Sequence, residues 1–127
     1  MKLKVWVKHF QGIVREKVKD HTRSKLWGKV RKEHLKLNSK CEACGTQKKL
    51  QVHHIKPFHL HPELELEPTN LITLCMNEQM DCHLLIGHGD DWQSYNPFVV
   101  DDIKKLRIDI DDRNLIVEAA KQRRIKF

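Results

Sequence analysis

Residues 41–57 read CEACGTQKKLQVHHIKP, and residues 70–83 read NLITLCMNEQMDCH. The apolar and polar residues of segment 50–55 alternate as in a short strand, and segment 71–75 is a second β-prone run. Each run lies beside cysteines, and the first run contains two adjacent histidines. We therefore expect two short strands framed by four cysteines: Cys41, Cys44, Cys75 and Cys82.

The spacing of the cysteines predicts a metal site. Cys41 and Cys44 are separated by two residues, which allows a knuckle that offers two thiolates to one ion. Six residues separate Cys75 from Cys82, so the second knuckle must bulge. Four thiolates in tetrahedral geometry favour structural Zn²⁺ and leave no open position for chemistry. Buried free thiols or a redox pair are the alternatives.

Positive charge is concentrated in the N-terminal third of the chain. Residues 1–40 hold thirteen Lys and Arg against three Asp and Glu, whereas residues 41–88 hold three against six and residues 89–127 eight against eight. A concentrated basic surface suits a polyanion, because each phosphate contact releases condensed counterions. A solvated lysine-rich face is the other interpretation.

Helical periodicity precedes and follows the cysteine frame. Residues 22–37 form a predicted amphipathic helix with Thr22 or Ser24 as its cap, while residues 2–20 allow either strand or helix. Prolines exclude a regular helix over residues 56–69, and residues 82–86 open a short helix that Gly87 and Gly89 stop. The basic outer face of the first helix contains Lys25, Lys29, Arg31 and Lys32.

Two further helices are predicted after the Asn96-Pro97 cap. The first turns Val99, Ile103, Leu106 and Ile110 to the core, and the second, ending near Arg124, turns Leu115, Ile116, Ala119 and Ala120 inward. We expect the aromatic residues Trp27, Trp92 and Tyr95 in the core as well.

Length and hydropathy predict a single domain over residues 1–127. No apolar stretch approaches the ~20 residues of a membrane helix, and the lysines among the first eight residues argue against a signal peptide. An intracellular protein with no membrane partner is the resulting expectation; the sequence does not indicate an oligomeric state.

Histidines are the second unusual feature, with nine in the chain. His53 and His54 are adjacent on a predicted strand, so their side chains point to opposite faces, and one can bind metal while the other accepts a proton. His83 directly follows a frame cysteine. Six histidines lie within the frame or just past it: His53, His54, His59, His61, His83 and His88.

In this order, the cysteine knuckle, the Val52-His53-His54 run, the Asn70 strand and the Cys82-His83 pair resemble the zinc-framed HNH (ββα-metal) endonuclease motif. The resemblance covers residues 41–88, and the preceding basic helix resembles the lead-in of free-standing bacterial and phage HNH proteins. It implies an α+β fold, with a small ββα-metal core flanked by a basic helical lead-in (1–40) and a helical extension (89–127).

The resemblance also implies roles for individual residues. His54 would be the general base, and Asn70 would hold the His54 loop by hydrogen bonds. His53 and His83 would ligate a catalytic divalent metal, for which imidazole allows Mg²⁺, Mn²⁺, Ni²⁺, Co²⁺ or Zn²⁺. Some relatives have another ligand four residues after the position of His83. Here that residue is Gly87, and His88, one residue further, is the candidate.

The function that these roles imply is hydrolysis of DNA phosphodiester bonds, most simply in duplex DNA, leaving 3′-hydroxyl and 5′-phosphate ends. The basic helix would bind the backbone. A non-catalytic zinc-containing nucleic-acid-binding module or regulator is the alternative. It explains the cysteines and the charge, but not why His53, His54, Asn70 and His83 stand in nuclease register.

Overall fold

The structure is a computed structural model that describes residues 22–108 and 110–127, apart from the side chains of residues 108 and 110. The expectations for residues 2–20 and for the side chain of Ile110 concern positions outside the described residues. No helix in the described ranges is long and apolar enough to cross a membrane. The regular elements are α1 (Trp27–Leu37), β1 (Leu50–His54), β2 (Leu71–Cys75), a π-helix (His83–Gly87), β3 (Ser94–Tyr95), α2 (Val99–Ile108), α3 (Arg113–Arg123) and β4 (Ile125–Lys126).

A two-stranded antiparallel sheet forms the centre of the fold. Strands β1 and β2 pair in a register that sets Leu50 opposite Cys75 and His54 opposite Leu71. Both predicted strands are therefore confirmed. The proline-rich connection contains only two short 3₁₀ turns, Pro62–Leu64 and Pro68–Asn70, each of which begins at a proline whose φ suits that position. Together with the helices, the sheets confirm the predicted α+β class.

Helix α1 begins later than the sequence predicts. Residues 22–26 precede the helix, and the hydroxyl of Ser24 accepts a hydrogen bond from the Leu26 N–H at 3.0 Å. The hydroxyl is thus used in a local turn, so neither Thr22 nor Ser24 caps the helix and that expectation was wrong. The helix buries Val30, and at its end the Asn38 amide donates to the His34 carbonyl at 3.1 Å.

The short helix after Cys82 is a π-helix rather than an α-helix. Its closing hydrogen bond runs from the His88 N–H to the His83 carbonyl, five residues back, at 3.0 Å. Gly87 is the last residue of this element, so the helix ends where the sequence predicts, and only its type differs. Gly89 follows with a φ of 62°, and an added Cβ there would lie 2.8 Å from the Ala120 carbonyl oxygen. The chain therefore needs glycine where it turns against α3.

The two C-terminal helices close the core. In α2 the expected residues Val99, Ile103 and Leu106 are buried. In α3 the prediction for Leu115 was wrong, because 71% of this side chain is exposed. The helix is rotated about its axis relative to the prediction. The residues in contact with the core or partly buried there are Ile116, Val117, Ala119 and Ala120.

The core has two parts, one on each side of the hairpin. One joins the cysteines to α2 and α3, and the other joins α1 to the residues around Phe58. A second small ribbon forms where β3 pairs with β4, placing Tyr95 opposite Ile125. This ribbon brings the end of the described chain beside the π-helix.

Candidate functional site

The four cysteines come together as the sequence predicts. Their Sγ atoms all lie within 4.8 Å of one another, and all four are free thiols. The first knuckle closes through a hydrogen bond from the Gly45 N–H to the Cys41 carbonyl at 2.9 Å, with Gly45 at a φ of 80°. Four sulfurs at this spacing could hold a zinc ion.

The extra residues between Cys75 and Cys82 form a compact turn. The Asn77 carbonyl accepts hydrogen bonds from the N–H groups of Met80 and Asp81 at 3.0 and 2.6 Å. Asp81 then adopts a φ of 39°, which reverses the chain toward the fourth cysteine. The bulge expected from the spacing is therefore present, and it leaves the sulfur cluster intact.

Hydrogen bonds favour the thiolate form of Cys41, whereas burial raises the pKa of Cys44 to about 11 and the hydrogen bond to Cys41 raises the pKa of Cys82. The Cys82 thiol, followed by nearby backbone N–H groups, lowers the pKa of Cys41 to about 4 against the opposing effect of burial. On the far side, the Arg113 guanidinium donates to the Cys82 sulfur at 3.4 Å and also to the Met80 carbonyl. Deprotonated sulfurs with a cationic neighbour are the donor set that Zn²⁺ requires.

Three histidines form a second cluster. Ligand nitrogens of His53, His83 and His88 lie within 4.8 Å of one another, and the Nε2 atoms of His83 and His88 are 3.2 Å apart. The π-turn explains why His88 takes part: its five-residue hydrogen bond brings residues five apart onto one side, as an α-turn does for residues four apart. Gly87 lies close to His53, and its added Cβ would come 3.1 Å from the His53 Cε1.

The orientation of His88 is set by the small ribbon. Its Nδ1 lies 2.7 Å from the Ser94 carbonyl oxygen. Because a carbonyl can only accept, Nδ1 carries the hydrogen and Nε2 presents its lone pair toward His83. Such a backbone partner is typical of metal-ligating histidines.

The remaining nitrogens of this cluster suit a metal. Among the described residues, the buried His53 Nε2 and His83 Nδ1 have no hydrogen-bond partner. Burial, followed by the neighbouring histidines, lowers the pKa of His83 to about 3, and the pKa of His53 is lowered for the same reasons. Both rings are therefore neutral, which is the form that binds metal. The donor set fits a divalent cation.

His54 lies on the opposite face of β1 from His53. Its Nε2 is 2.9 Å from the Glu65 carbonyl oxygen, so Nε2 carries the hydrogen and Nδ1 is the unprotonated nitrogen of the neutral ring. Trp27 packs on the ring at a centroid distance of 4.6 Å. Burial lowers the pKa of His54 to about 4.

Asn70 connects the loop after His54 to the start of β2. Its Oδ1 accepts the Lys56 N–H at 2.8 Å, and its Nδ2 donates to the carbonyls of Lys56 and Leu64 at 3.0 and 3.2 Å. The side chain is buried, so all of these bonds are made within the protein. Asn70 therefore contacts the loop that follows His54, and it belongs to neither of the two clusters that could hold a metal.

One cleft of about 220 Å³ contains all the histidines with proposed roles. Sequence reasoning did not identify Arg23 here, whose Nη1 lies 3.0 Å from the buried carboxylate of Glu65 and whose guanidinium lies 4.2 Å from the Phe58 ring. It also expected Trp92 in the core, but 45% of that residue is exposed beside the histidines. Other lining residues that it missed are Pro57, Phe58, His59 and Phe127.

The basic residues of the predicted DNA-binding face divide into two groups. Lys25, Lys29 and Lys32 are exposed, with Lys25 in the turn before α1. Arg31 is half-buried and donates to the Gln51 side chain at 3.2 Å. His61 lies 3.5 Å from Glu63 and belongs to neither metal cluster.

Comparison with known proteins identifies the segment that carries these groups. Residues 41–88 match the family model described as HNH endonuclease. No curated protein and no solved structure matches the chain. The matched segment contains the hairpin, the π-helix, all four cysteines and the three clustered histidines. The match of residues 41–88 to an HNH endonuclease domain suggests nuclease activity in general and a nucleic-acid substrate.

Proposed function

We propose that the protein is a metal-dependent DNA endonuclease in which His54 is the general base. The observation that carries this proposal is the shared cleft: His54 lines it from one face of β1, and the histidine cluster lines it from the other. Adjacent side chains of a strand point to opposite faces, so His53 and His54 remain separate groups. Because both line the same cleft, the base and the metal can act on the same phosphate.

The two clusters would hold different ions. Cys41, Cys44, Cys75 and Cys82 would bind structural Zn²⁺, and His53, His83 and His88 would bind the catalytic cation, for which Mg²⁺, Mn²⁺, Ni²⁺, Co²⁺ and Zn²⁺ are candidates. When bound, the catalytic cation would polarise the phosphate and stabilise the leaving 3′ oxygen.

The protein's own groups would supply the proton transfer. His54 Nδ1 would accept a proton from the attacking water, while the Glu65 carbonyl holds the ring by the opposite nitrogen. Asn70 would keep the loop after His54 in place through its three backbone hydrogen bonds. Because burial lowers the pKa of His54, the ring is neutral and its Nδ1 lone pair is available at neutral pH, and the hydrogen bond to that carbonyl would stabilise the developing imidazolium.

Arg23 and the basic helix would bind the phosphates. The Glu65 carboxylate and the Phe58 ring restrict the Arg23 side chain, which is nevertheless half-exposed in the cleft. A guanidinium held in this way suits a phosphate oxygen. Lys25, Lys29, Arg31 and Lys32 would bind the backbone of flanking duplex DNA.

The test is nicking of supercoiled plasmid across a panel of divalent metals. We expect His54→Ala to lower the rate by about 10²- to 10⁴-fold while binding of metal and DNA persists. His61→Ala is the matched control, since His61 lies outside both clusters. Cleavage by His54→Ala at the rate of the unmodified protein would contradict the mechanism and favour the non-catalytic binding module.

DNA binding by the basic helix is tested separately. Charge reversal at Lys25, Lys29 and Lys32 should lower duplex affinity and flatten its salt dependence, because fewer counterions are released. Reversal at the exposed Lys48, Lys104 and Lys105 should change the salt dependence much less. Equal effects of the two triple variants would mean that overall charge, and not this helix, governs binding.

A further inference from the structure

Among the aromatic side chains that line the cleft are His59, Trp92 and Phe127, here called the aromatic rim. Trp92 and Phe127 are 45% and 40% exposed, although both are large and apolar. Exposed aromatic side chains that converge on a polar cleft mark a binding surface more often than a stability element. The roles proposed above do not use them.

The rim is held in position by the fold. Trp92 meets His83 edge-on at a centroid distance of 5.2 Å and lies 4.9 Å from the His88 ring. Phe127 lies 4.9 Å from His59, and its N–H donates to the Gln93 carbonyl at 3.0 Å, which extends the pairing of β3 with β4. The ribbon that orients His88 therefore also positions Phe127, and Trp92 precedes its first strand by one residue.

The charges near the rim permit an anionic ligand. Asp91, the residue before Trp92, accepts a hydrogen bond from the Ser94 hydroxyl at 2.7 Å and lies 3.4 Å from the Lys126 Nζ. Arg23, which also lines the cleft, is half-exposed. A phosphate held near Arg23 and the histidines would thus place its attached nucleoside beside aromatic rings.

We propose that the aromatic rim stacks an unpaired nucleobase next to the scissile phosphate, so that the substrate of this site is nucleic acid with an unpaired nucleotide at the point of cleavage. This inference rests on the proposed nuclease function. Aromatic side chains stack on bases of any sequence, whereas bases inside a duplex offer no free face and must first leave the stack. The basic helix would hold flanking duplex while the cleft takes the unpaired nucleotide.

The experiment compares two oligonucleotide duplexes that differ in whether a 2-aminopurine is paired or unpaired. Binding is measured by 2-aminopurine fluorescence with the zinc-loaded protein and no added divalent metal. We expect quenching with the unpaired probe only, and an affinity for it that Trp92→Ala or Phe127→Ala lowers about 5- to 100-fold. Trp92→Phe should retain most of that affinity.

The control is Phe98→Ala, because Phe98 is 43% exposed but does not line the cleft. Equal affinity for paired and unpaired probes, or equal losses for both in the Trp92 variant, would overturn the proposal and mean that the rim only covers the histidines. Cleavage assays separate the two proposals. Rim-dependent binding without cleavage contradicts the nuclease function. Cleavage of both duplexes at the same rate contradicts only the proposed stacking of an unpaired base on the aromatic rim.

Discussion

The cysteine cluster and the histidine cluster, each of which could hold a metal ion, differ in the number of ligands and in where they lie. The cysteine cluster offers four ligands and is part of the core that includes α2 and α3. The histidine cluster offers three and borders the cleft. A closed set of four stabilises a fold, whereas a set of three leaves a position for water or substrate. Under the proposed function, ligand number and access would therefore distinguish a structural centre from a catalytic one within residues 41–88.

The largest effect should follow from breaking the cysteine cluster. Cys75→Ser removes a buried ligand, and we expect it to cost on the order of 5 kcal/mol or more, because zinc binding and folding are coupled. Circular dichroism and metal analysis would show a largely unfolded protein without zinc. A folded Cys75→Ser protein with the Tm of the unmodified protein would show that the cysteine cluster does not stabilise the fold.

Breaking the histidine cluster should leave the fold intact. His88→Ala removes one of three ligands, so the affinity for the catalytic metal should fall at least about 100-fold, while zinc content remains unchanged. Isothermal titration with Mn²⁺ or Ni²⁺ on the zinc-loaded protein measures this. His61→Ala is the control. Loss of zinc from His88→Ala would show that the two clusters depend on each other.

A smaller change tests the packing behind the histidines. In Gly87→Ala the new methyl group would lie 3.1 Å from atoms of both His53 and Leu74. We expect a Tm about 3–6 °C lower and weaker binding of the catalytic metal, because these side chains must shift. Gly28→Ala on α1 is the control, since nothing lies within 4 Å of its added Cβ. A Gly87→Ala protein that matches Gly28→Ala in both measurements would contradict the tight packing.

The smallest effect concerns the surroundings of the cysteines. Arg113→Met removes the hydrogen bond to the Cys82 sulfur, and we expect faster zinc loss to a chelator and a stability cost of about 1 kcal/mol. Arg107→Met is matched to it, because Arg107 bonds Glu42 and not sulfur. If both variants release zinc at the same rate, the Arg113 contact has no influence on the cluster.

The sequence was sufficient to predict the parts of the site that depend on local spacing. Cys41 and Cys44 lie in one turn, and the alternation in β1 separates His53 from His54, so both arrangements follow from the chain itself. The position of His88 did not follow from helical periodicity, because an α-turn would place residue 87 beside His83. One extra residue in the turn changes which side chain faces the metal cluster.

Residues brought in by tertiary contacts were beyond sequence reasoning. Arg23 enters the cleft because a buried carboxylate far along the chain holds it, and nothing in its neighbours indicates that partner. Phe127 arrives through the pairing of two strands of two residues each, which is too short a pattern to detect. Trp92 was expected in the core because large aromatic residues usually bury their surface, and function is a common reason for an exception.

The carbonyl groups that orient two of the histidines have a consequence for genetics. His54 bonds the carbonyl of Glu65, and His88 bonds the carbonyl of Ser94. Every amino acid supplies a carbonyl, so a substitution at either position keeps the acceptor as long as the backbone path is unchanged. A saturation mutagenesis screen for activity would therefore show that the histidines do not tolerate substitution. The same screen would not detect the two backbone carbonyls that orient them. At position 65 any sensitivity would report the side chain's own contacts with Arg23 and the Ser24 N–H, and not the orientation of the His54 ring.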